Sequence, residues 1–351
     1  MRDNKHSQEL INTVHKSQIC TWFTLEEEHV SKTVFEREFM AARRIEKKLM
    51  VAAAKNGLAI PCDSDATAFL LAHPRGAYTA ARTVQQTRIF DYDSHIRRLV
   101  ESTIAMQTKK PPMLVPSDVE KELRPRTEET MIAAMQAFKD LYEVHHDQEF
   151  KINVLVCPTQ GDTMSGQLLS DQDIFCHVGL LPPRRNEMVK LEVAGLPRHN
   201  AGAKDSAWVK ERKGIYDRMA SDMEEVILMD PRTRQLLEGS QTNFYVIQDG
   251  VVITAEEGIL KGTVRSLVLE ICAENGIAVE LKPPTLDDID KWQGCFISST
   301  SRLVLGAKSL QYPELATKKT LTKTFAPHPI LDHIMTAVQH SVVKKSTKVL
   351  K

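Results

Sequence analysis

Apolar residues recur along the chain at two spacings, and those spacings mark out its elements. Between residues 25 and 56, Phe35, Phe39, Ala42, Ile45, Leu49 and Ala52 fall at intervals of three and four, with Glu38, Arg43, Arg44, Lys47 and Lys48 largely on other faces. That pattern predicts an amphipathic helix. Asn56-Gly57 would close it in a left-handed turn, and Pro61 would prevent its continuation. From "AFLLAHPRGAYTAARTV" the texture mixes strand and turn, "RIFDYDSHIRRLVEST" runs into a helix, and "EETMIAAMQAFKDLYEVHH" predicts a longer one. "FKINVLVCP" alternates with apolar Ile152, Val154 and Val156, the period of a strand. Polar residues 160–172 and then the two prolines of "LLPPRRNE" (180–187) interrupt the pattern, and the second stretch is read as an inter-domain linker.

Beyond it, "MVKLEVAGL" predicts a strand and "AKDSAWVKERKGIYDRMA" a charged helix. "EEVILMD", "QLLEGSQTNFYVI" and "VVITA", separated by "PRTR" and "QDG", predict an antiparallel meander. A helix over "TVRSLVLEICAENG", closed by Asn275-Gly276, is followed by "IAVELK", "LDDIDKW" and the strand "CFISSTSRLVLGA". The tail "VVKKSTKVLK" is basic and reads as frayed. The organisation expected is a helical extension over 1–65, a small α/β domain over 66–182, a larger domain over 183–335, and a basic tail over 336–351.

Composition narrows the function. A chain of 351 residues with 42% hydrophobic content can bury one large core or two moderate ones, and two domains are the expectation. Lys plus Arg equals Asp plus Glu at 46 each, so no basic field exists to hold nucleic acid or an anionic membrane surface. The N-terminus lacks a basic segment followed by an apolar one, and no apolar run approaches the ~18 residues of a bilayer span, so the expectation is a soluble, cytoplasmic protein. Cys20, Cys62, Cys157, Cys176, Cys272 and Cys295 include no C-x-x-C pair, which argues against a zinc site or a disulfide framework and for reduced core cysteines. A small-molecule partner becomes the expectation.

Glu238 is the residue that does not fit its surroundings, an acid among apolar strand-like neighbours. Around it "LLEGSQTNFYVI", "DGVVIT", "GILKGTVRSL" and "CFISSTSRL" follow in order. Together these segments resemble the class IV, fold type IV aminotransferases that use pyridoxal 5'-phosphate, a family that includes branched-chain and D-amino-acid aminotransferases and aminodeoxychorismate lyase. The resemblance covers roughly residues 73–310. It implies a two-domain α+β or α/β fold, amino acid and 2-oxo acid substrates, and a homodimer.

The resemblance also implies roles. A carboxylate must keep the cofactor's pyridine nitrogen protonated, and Glu238 matches the acid of the family's E-G-x-x-x-N motif. The family's lysine, which carries the cofactor and moves the substrate's α-proton, precedes that acid by a little over thirty residues, and Lys204 in "HNAGAKDSAWVKERKG" lies 34 positions before Glu238. Phosphate binding calls for arginine, helix N-terminal amides and hydroxyls. "HIRRL" offers Arg98, with Arg97 turned outward, while "ILKGTVR" offers the amides of Thr263 and Val264, with Leu260 on the ring face. "FISSTSR" offers Ser299 and Thr300.

Departures fall on the substrate side. "HPRGAYTAARTV" keeps Gly76 and Tyr78 but leans toward aminodeoxychorismate lyase, and the arginine-bearing segment that in some members of the family helps to hold a substrate carboxylate is replaced by "CPTQGDTMSG". The tyrosine that branched-chain enzymes carry five residues after the lysine is here Val209, beside Trp208. A substrate carboxylate must then be met by other donors, such as Tyr78, backbone amides, or an arginine of the linker loop such as Arg184 or Arg185. Three readings stay open: amino-group transfer, a lyase reaction using the same lysine and glutamate, and a catalytically silent binding protein on the same fold.

Overall fold

A computed structural model of the chain describes residues 49–106, 115–159, 172–185, 187–314 and 319–350. The predicted helix over 25–56 lies mostly outside them, as does Cys20. Residues Leu49–Lys351 form one compact unit built on two sheets.

The first sheet has seven strands. In chain order they are β1 (Val51–Lys55), β2 (Leu58–Ile60), β3 (Ala77–Val84), β4 (Arg88–Phe90), β5 (Phe150–Pro158), β6 (Gln172–Leu180) and the last strand, β16 (Ser346–Lys348). Across the sheet they run β16-β4-β3-β5-β6-β1-β2, every neighbour antiparallel. Alternation gives the sheet two different faces. Ala81, Ile152, Val154 and Val178 pack under the helices α2 (Tyr92–Ala105) and α3 (Pro116–Leu141), through Leu99, Leu123, Met135 and Phe138. Tyr78, Leu155 and Phe175 face the other way, with Phe69 and Leu70 of α1 (Ala66–Ala72) over part of that face. Asp65 caps α1 by accepting from the amides of Thr67 and Ala68.

The second sheet contains β7 (Val189–Val193), β8 (Glu225–Met229), β9 (Leu236–Gly239), β10 (Asn243–Gln248), β11 (Val251–Thr254), β12 (Val279–Leu281), β13 (Gly294–Ser299), β14 (Leu303–Glu314) and β15 (Lys319–Thr324). Its order is β12-β11-β10-β13-β14-β7-β8-β9, with β15 on β14, and β9 pairs again with β10 through Asn243 and Glu238. The strands β10-β13-β14-β7-β8-β9 therefore close into a ring. Phe244, Val246, Cys295, Ile297 and Leu305 fill its interior, while the alternating Tyr245 and Phe296 point outward under α6 (Thr263–Glu274) and α7 (Pro329–Lys344). The predicted meander appears as β8-β9-β10-β11, antiparallel throughout, but β7 runs parallel to both of its neighbours.

Several expectations are corrected. Val51–Lys55 is a strand and not the end of a helix, and Asn56-Gly57 is its hairpin turn, with φ of 45° and 81°. Ala52 and Ala54 face the α2–α3 core while Ala53 faces the other side, and alanines this small fit a period of two as well as one of 3.6. The sheet thus begins inside the segment expected to be a helical extension over 1–65. The tail "VVKKSTKVLK" is not frayed over its described residues: its first three residues end α7, β16 pairs with β4, and Leu350 is buried in the first core. "AKDSAWVKERKGIYDRMA" forms two short helices, α4 (Ala207–Glu211) and α5 (Lys213–Tyr216). "CFISSTSRLVLGA" is a hairpin whose turn carries Thr300–Arg302, and β6 and β15 had no predicted counterpart. Four of the cysteines, Cys157, Cys176, Cys272 and Cys295, are buried thiols, and Cys62 is partly buried.

Candidate active site

A cleft of about 940 Å³ opens between the uncovered face of the first sheet and the rim of the ring. Tyr78, Arg98, Lys204, Glu238, Leu260, Thr263, Val264, Ser299 and Thr300 all line it. Arg97, the neighbour of Arg98, is exposed.

The lysine sits in a loop stitched to the first sheet. The amide of Tyr78 donates to the Lys204 carbonyl at 2.9 Å, and Ser206 and Gly76 exchange bonds through the Ser206 amide and hydroxyl. The Lys204 amide donates to Ser102 Oγ of α2 at 3.0 Å. Held this way, Lys204 Nζ lies 4.7 Å from the centroid of the Tyr78 ring. Burial pushes the Lys204 amine down to about 8, with Arg98, Arg198 and Arg212 adding to the effect and Tyr78 opposing it. Burial alone would raise the Tyr78 phenol, but Lys204, Arg212 and Arg198 outweigh it and bring it down to about 8.

Glu238 lies at the seam where β9 meets β10, 3% exposed. Its Oε2 accepts from the Leu260 amide at 2.9 Å, and its Oε1 is 3.4 Å from Arg198 Nη1. Burial drives its carboxyl up to about 7, and the long contact with Arg198 only partly opposes this. Asn243, paired with Glu238, donates to the Leu260 carbonyl at 2.7 Å and accepts from the Gly262 amide at 3.2 Å. The spacing E-G-x-x-x-N therefore places two side chains on adjacent strands that together fix the 260–262 turn. A Cβ at Gly262 would overlap Asn243 Oδ1, so a larger residue there would displace the side chain that grips the turn.

That turn leads into α6, whose N-cap Gly262 has no side chain to bond the first-turn amides. The Thr263 hydroxyl is buried without a hydrogen-bond partner among the described residues. Arg98 reaches the same turn, its Nη2 donating to the Lys261 carbonyl at 2.8 Å. Free amides, an unused hydroxyl and a guanidinium at one helix N-terminus are the donor set a phosphate takes. Ser299 Oγ accepts from the Arg302 amide at 3.2 Å within the β13–β14 turn.

Sequence reasoning missed Arg198, Arg212, Lys151 and Asn153, all of which line the cleft. Arg198 stacks 5.1 Å from the centroid of Trp208 and donates to the Ala203 carbonyl at 2.9 Å, just before the lysine. A buried arginine six residues ahead of Lys204 carries no periodicity, so only its nearness to the lysine could have flagged it. Arg185 is corrected: it pairs with Glu224 at 3.0 Å, and neither it nor Arg184 lines the cleft. No group of three metal-ligating side chains occurs among the described residues.

Two sheets with this topology, and a cleft with a lysine on one wall and a buried acid on the other, define the fold of the type IV aminotransferases. The branched-chain aminotransferase of the archaeon Thermoproteus uzoniensis, solved with norvaline, matches with a TM-score of 0.61 at 17% identity, over 85% of this chain and 99% of that one. A hypothetical aminotransferase from Mycobacterium tuberculosis, in its PLP-bound form, matches with a TM-score of 0.61 at 16% identity, over 84% and 99%. The D-alanine aminotransferase of Bacillus licheniformis is 30% identical over 131 residues, 37% of this chain and 43% of that enzyme, so this alignment spans less than half of the relative. The pattern of the family Amino-transferase class IV matches residues 76–310, and the chain belongs to that family.

Proposed function

We propose that the protein uses pyridoxal 5'-phosphate to move an amino group between an amino acid and a 2-oxo acid. The observation that carries this reading is the convergence of the Lys204 amine, the Glu238 carboxylate and the uncapped first turn of α6 on one cleft. The unpartnered Thr263 hydroxyl and the buried, incompletely paired Glu238 fit the cofactor's phosphate and ring nitrogen respectively.

When bound, the cofactor supplies a protonated pyridine ring that draws electrons from the α-carbon of an attached amino acid. Arg98, Thr263, the amides of Thr263 and Val264, Ser299 and Thr300 would hold the phosphate, and Leu260 would cover a ring face. Glu238 would hold the proton on the ring nitrogen. Lys204 would carry the cofactor through its amine, give way to the substrate's amine, take the α-proton and return it at C4′. Its lowered pKa favours the free amine that each of these tasks requires.

Borohydride reduction of the loaded protein followed by peptide mapping should place a phosphopyridoxyl group on Lys204. A label on Lys210, Lys213 or Lys261 with Lys204 clean would refute the assignment. The lyase alternative shares Lys204 and Glu238, and release of pyruvate from aminodeoxychorismate would identify it. The proposal includes a homodimer, tested by sedimentation, and a cytoplasmic location, tested by fractionation. No helix among the described residues is long and apolar enough to cross a membrane.

A further inference from the structure

Besides Lys204 and the residues at the α6 N-terminus, the cleft is lined by a set of cations. On β3 and β5, Ala80 pairs with Asn153 and Arg82 with Lys151, which sets Tyr78, Ala80, Asn153 and Lys151 on the sheet face not covered by α2 and α3. Arg212, between α4 and α5, and Arg302, in the β13–β14 turn, line the same cleft. Arg302 is already engaged, by Glu224 at 2.7 Å and Glu225 at 3.6 Å. Lys151 and Arg212 have no carboxylate within ion-pair distance among the described residues. Among the described residues, Arg212 Nη1 meets only the Tyr78 hydroxyl, at 3.4 Å. Asp65, which acts on Lys151 from a distance, is occupied in capping α1.

Asn153 supplies an independent sign. It is 3% exposed, it lines the cleft, and its Nδ2 has no hydrogen-bond partner among the described residues. A buried donor left unpaired is costly, as is a cation drawn out of water without a counter-charge. One anion placed here would answer all three groups.

We propose that Lys151, Arg212 and Asn153, with the Tyr78 hydroxyl, form a subsite for a second acid group on the substrate, so that the protein selects dicarboxylic amino acids and 2-oxo diacids over branched-chain aliphatic ones. The proposal rests on the reading that Lys204 is the reacting amine. Lys204 Nζ stands over the Tyr78 ring while Arg212 touches the hydroxyl at that ring's edge, so the reacting centre and the subsite are separated by about the span of a short methylene chain. A branched aliphatic side chain in the same place would bury hydrocarbon against two uncompensated cations. Burial, reinforced by Arg212 and Arg302, holds the Lys151 amine below its ordinary range, and a carboxylate beside it would reverse that direction.

The test is calorimetric titration of the protein, as isolated and after loading with pyridoxal phosphate, using glutarate and 4-methylvalerate as unreactive probes. Glutarate should bind about ten-fold tighter or better than 4-methylvalerate, and Lys151→Gln and Arg212→Gln should each remove most of that ratio. Circular dichroism establishes that each variant is folded, and if one is not, the other decides. Equal affinity for the two probes in the wild type, or a glutarate preference that survives both substitutions, overturns the proposal. Failure here is distinguishable from failure of the functional reading. A Lys204 label without a glutarate preference refutes the subsite alone, and a preference without the label refutes the transfer reaction alone.

Discussion

Glu238 makes the cofactor-free protein sensitive to pH in a calculable direction. In the unfolded chain its carboxyl titrates near the ordinary 4.5, and in the folded protein it titrates at about 7, because burial outweighs the Arg198 contact and the Leu260 amide. The folded state therefore binds more protons between those values. A group raised on folding contributes stability that is complete below its unfolded pKa and is lost as pH rises through its folded pKa. Each pH unit in that interval is worth about 1.4 kcal/mol, so the whole loss is on the order of 3 kcal/mol. Glu238→Gln keeps the shape of the side chain and removes the titration. Urea unfolding of both proteins without cofactor, at intervals from about pH 4.5 to about pH 8, isolates the effect, since other titrating groups cancel in the difference. The stability of the wild type relative to the variant should fall steadily across this range by roughly the amount stated. If Glu238 meets the ring nitrogen as proposed, loading with pyridoxal phosphate would give it a cationic partner and flatten the slope. A difference that stays constant with pH in the cofactor-free protein would mean that Arg198 neutralises Glu238 completely, and the argument for an acid awaiting a pyridine nitrogen would fail.

Other substitutions separate the roles in the cleft. Arg98→Ala removes the guanidinium from the proposed phosphate site and should weaken cofactor retention by ~1.5–3 kcal/mol, measured as the dissociation constant of pyridoxal phosphate. An unchanged constant would remove Arg98 from the phosphate site. Tyr78→Phe should raise KM for an accepted amino acid and leave the yellow absorbance of the loaded protein in place, because the hydroxyl meets Arg212 and not the cofactor's anchors. Loss of the colour would mean that the phenol serves the cofactor.

The parts of the site legible in the sequence are those tied to a local conformational constraint. Gly262 marks the turn into α6, Asn243 and Glu238 mark the strand pair that grips it, and the order of these segments points back to Lys204. The strand β5 was legible because Ile152, Val154 and Val156 alternate without ambiguity. What stayed hidden depends on contacts distant in sequence. Lys151 reads as a surface charge until its register with Arg82 and Gly179 places it inside the sheet. Arg212 reads as the solvated face of a helix until α4 ends and turns it toward Tyr78. β1 was obscured by alanines that satisfy either period, and β16 by lysines that suggested a loose end.

The pairing of β16 with β4 bears on how the polypeptide is made. Arg88 in β4 donates to Ser346 across 258 positions of sequence, and Val349 and Leu350 complete a core otherwise built from residues before 181. During synthesis the first sheet must wait, with one edge open, until the whole ring has left the ribosome. Contacts this remote slow folding and leave an unpaired strand edge available to other chains. Shortening the chain by its final turn and strand would thus do more harm to the earliest-made sheet than to the segments beside the cut.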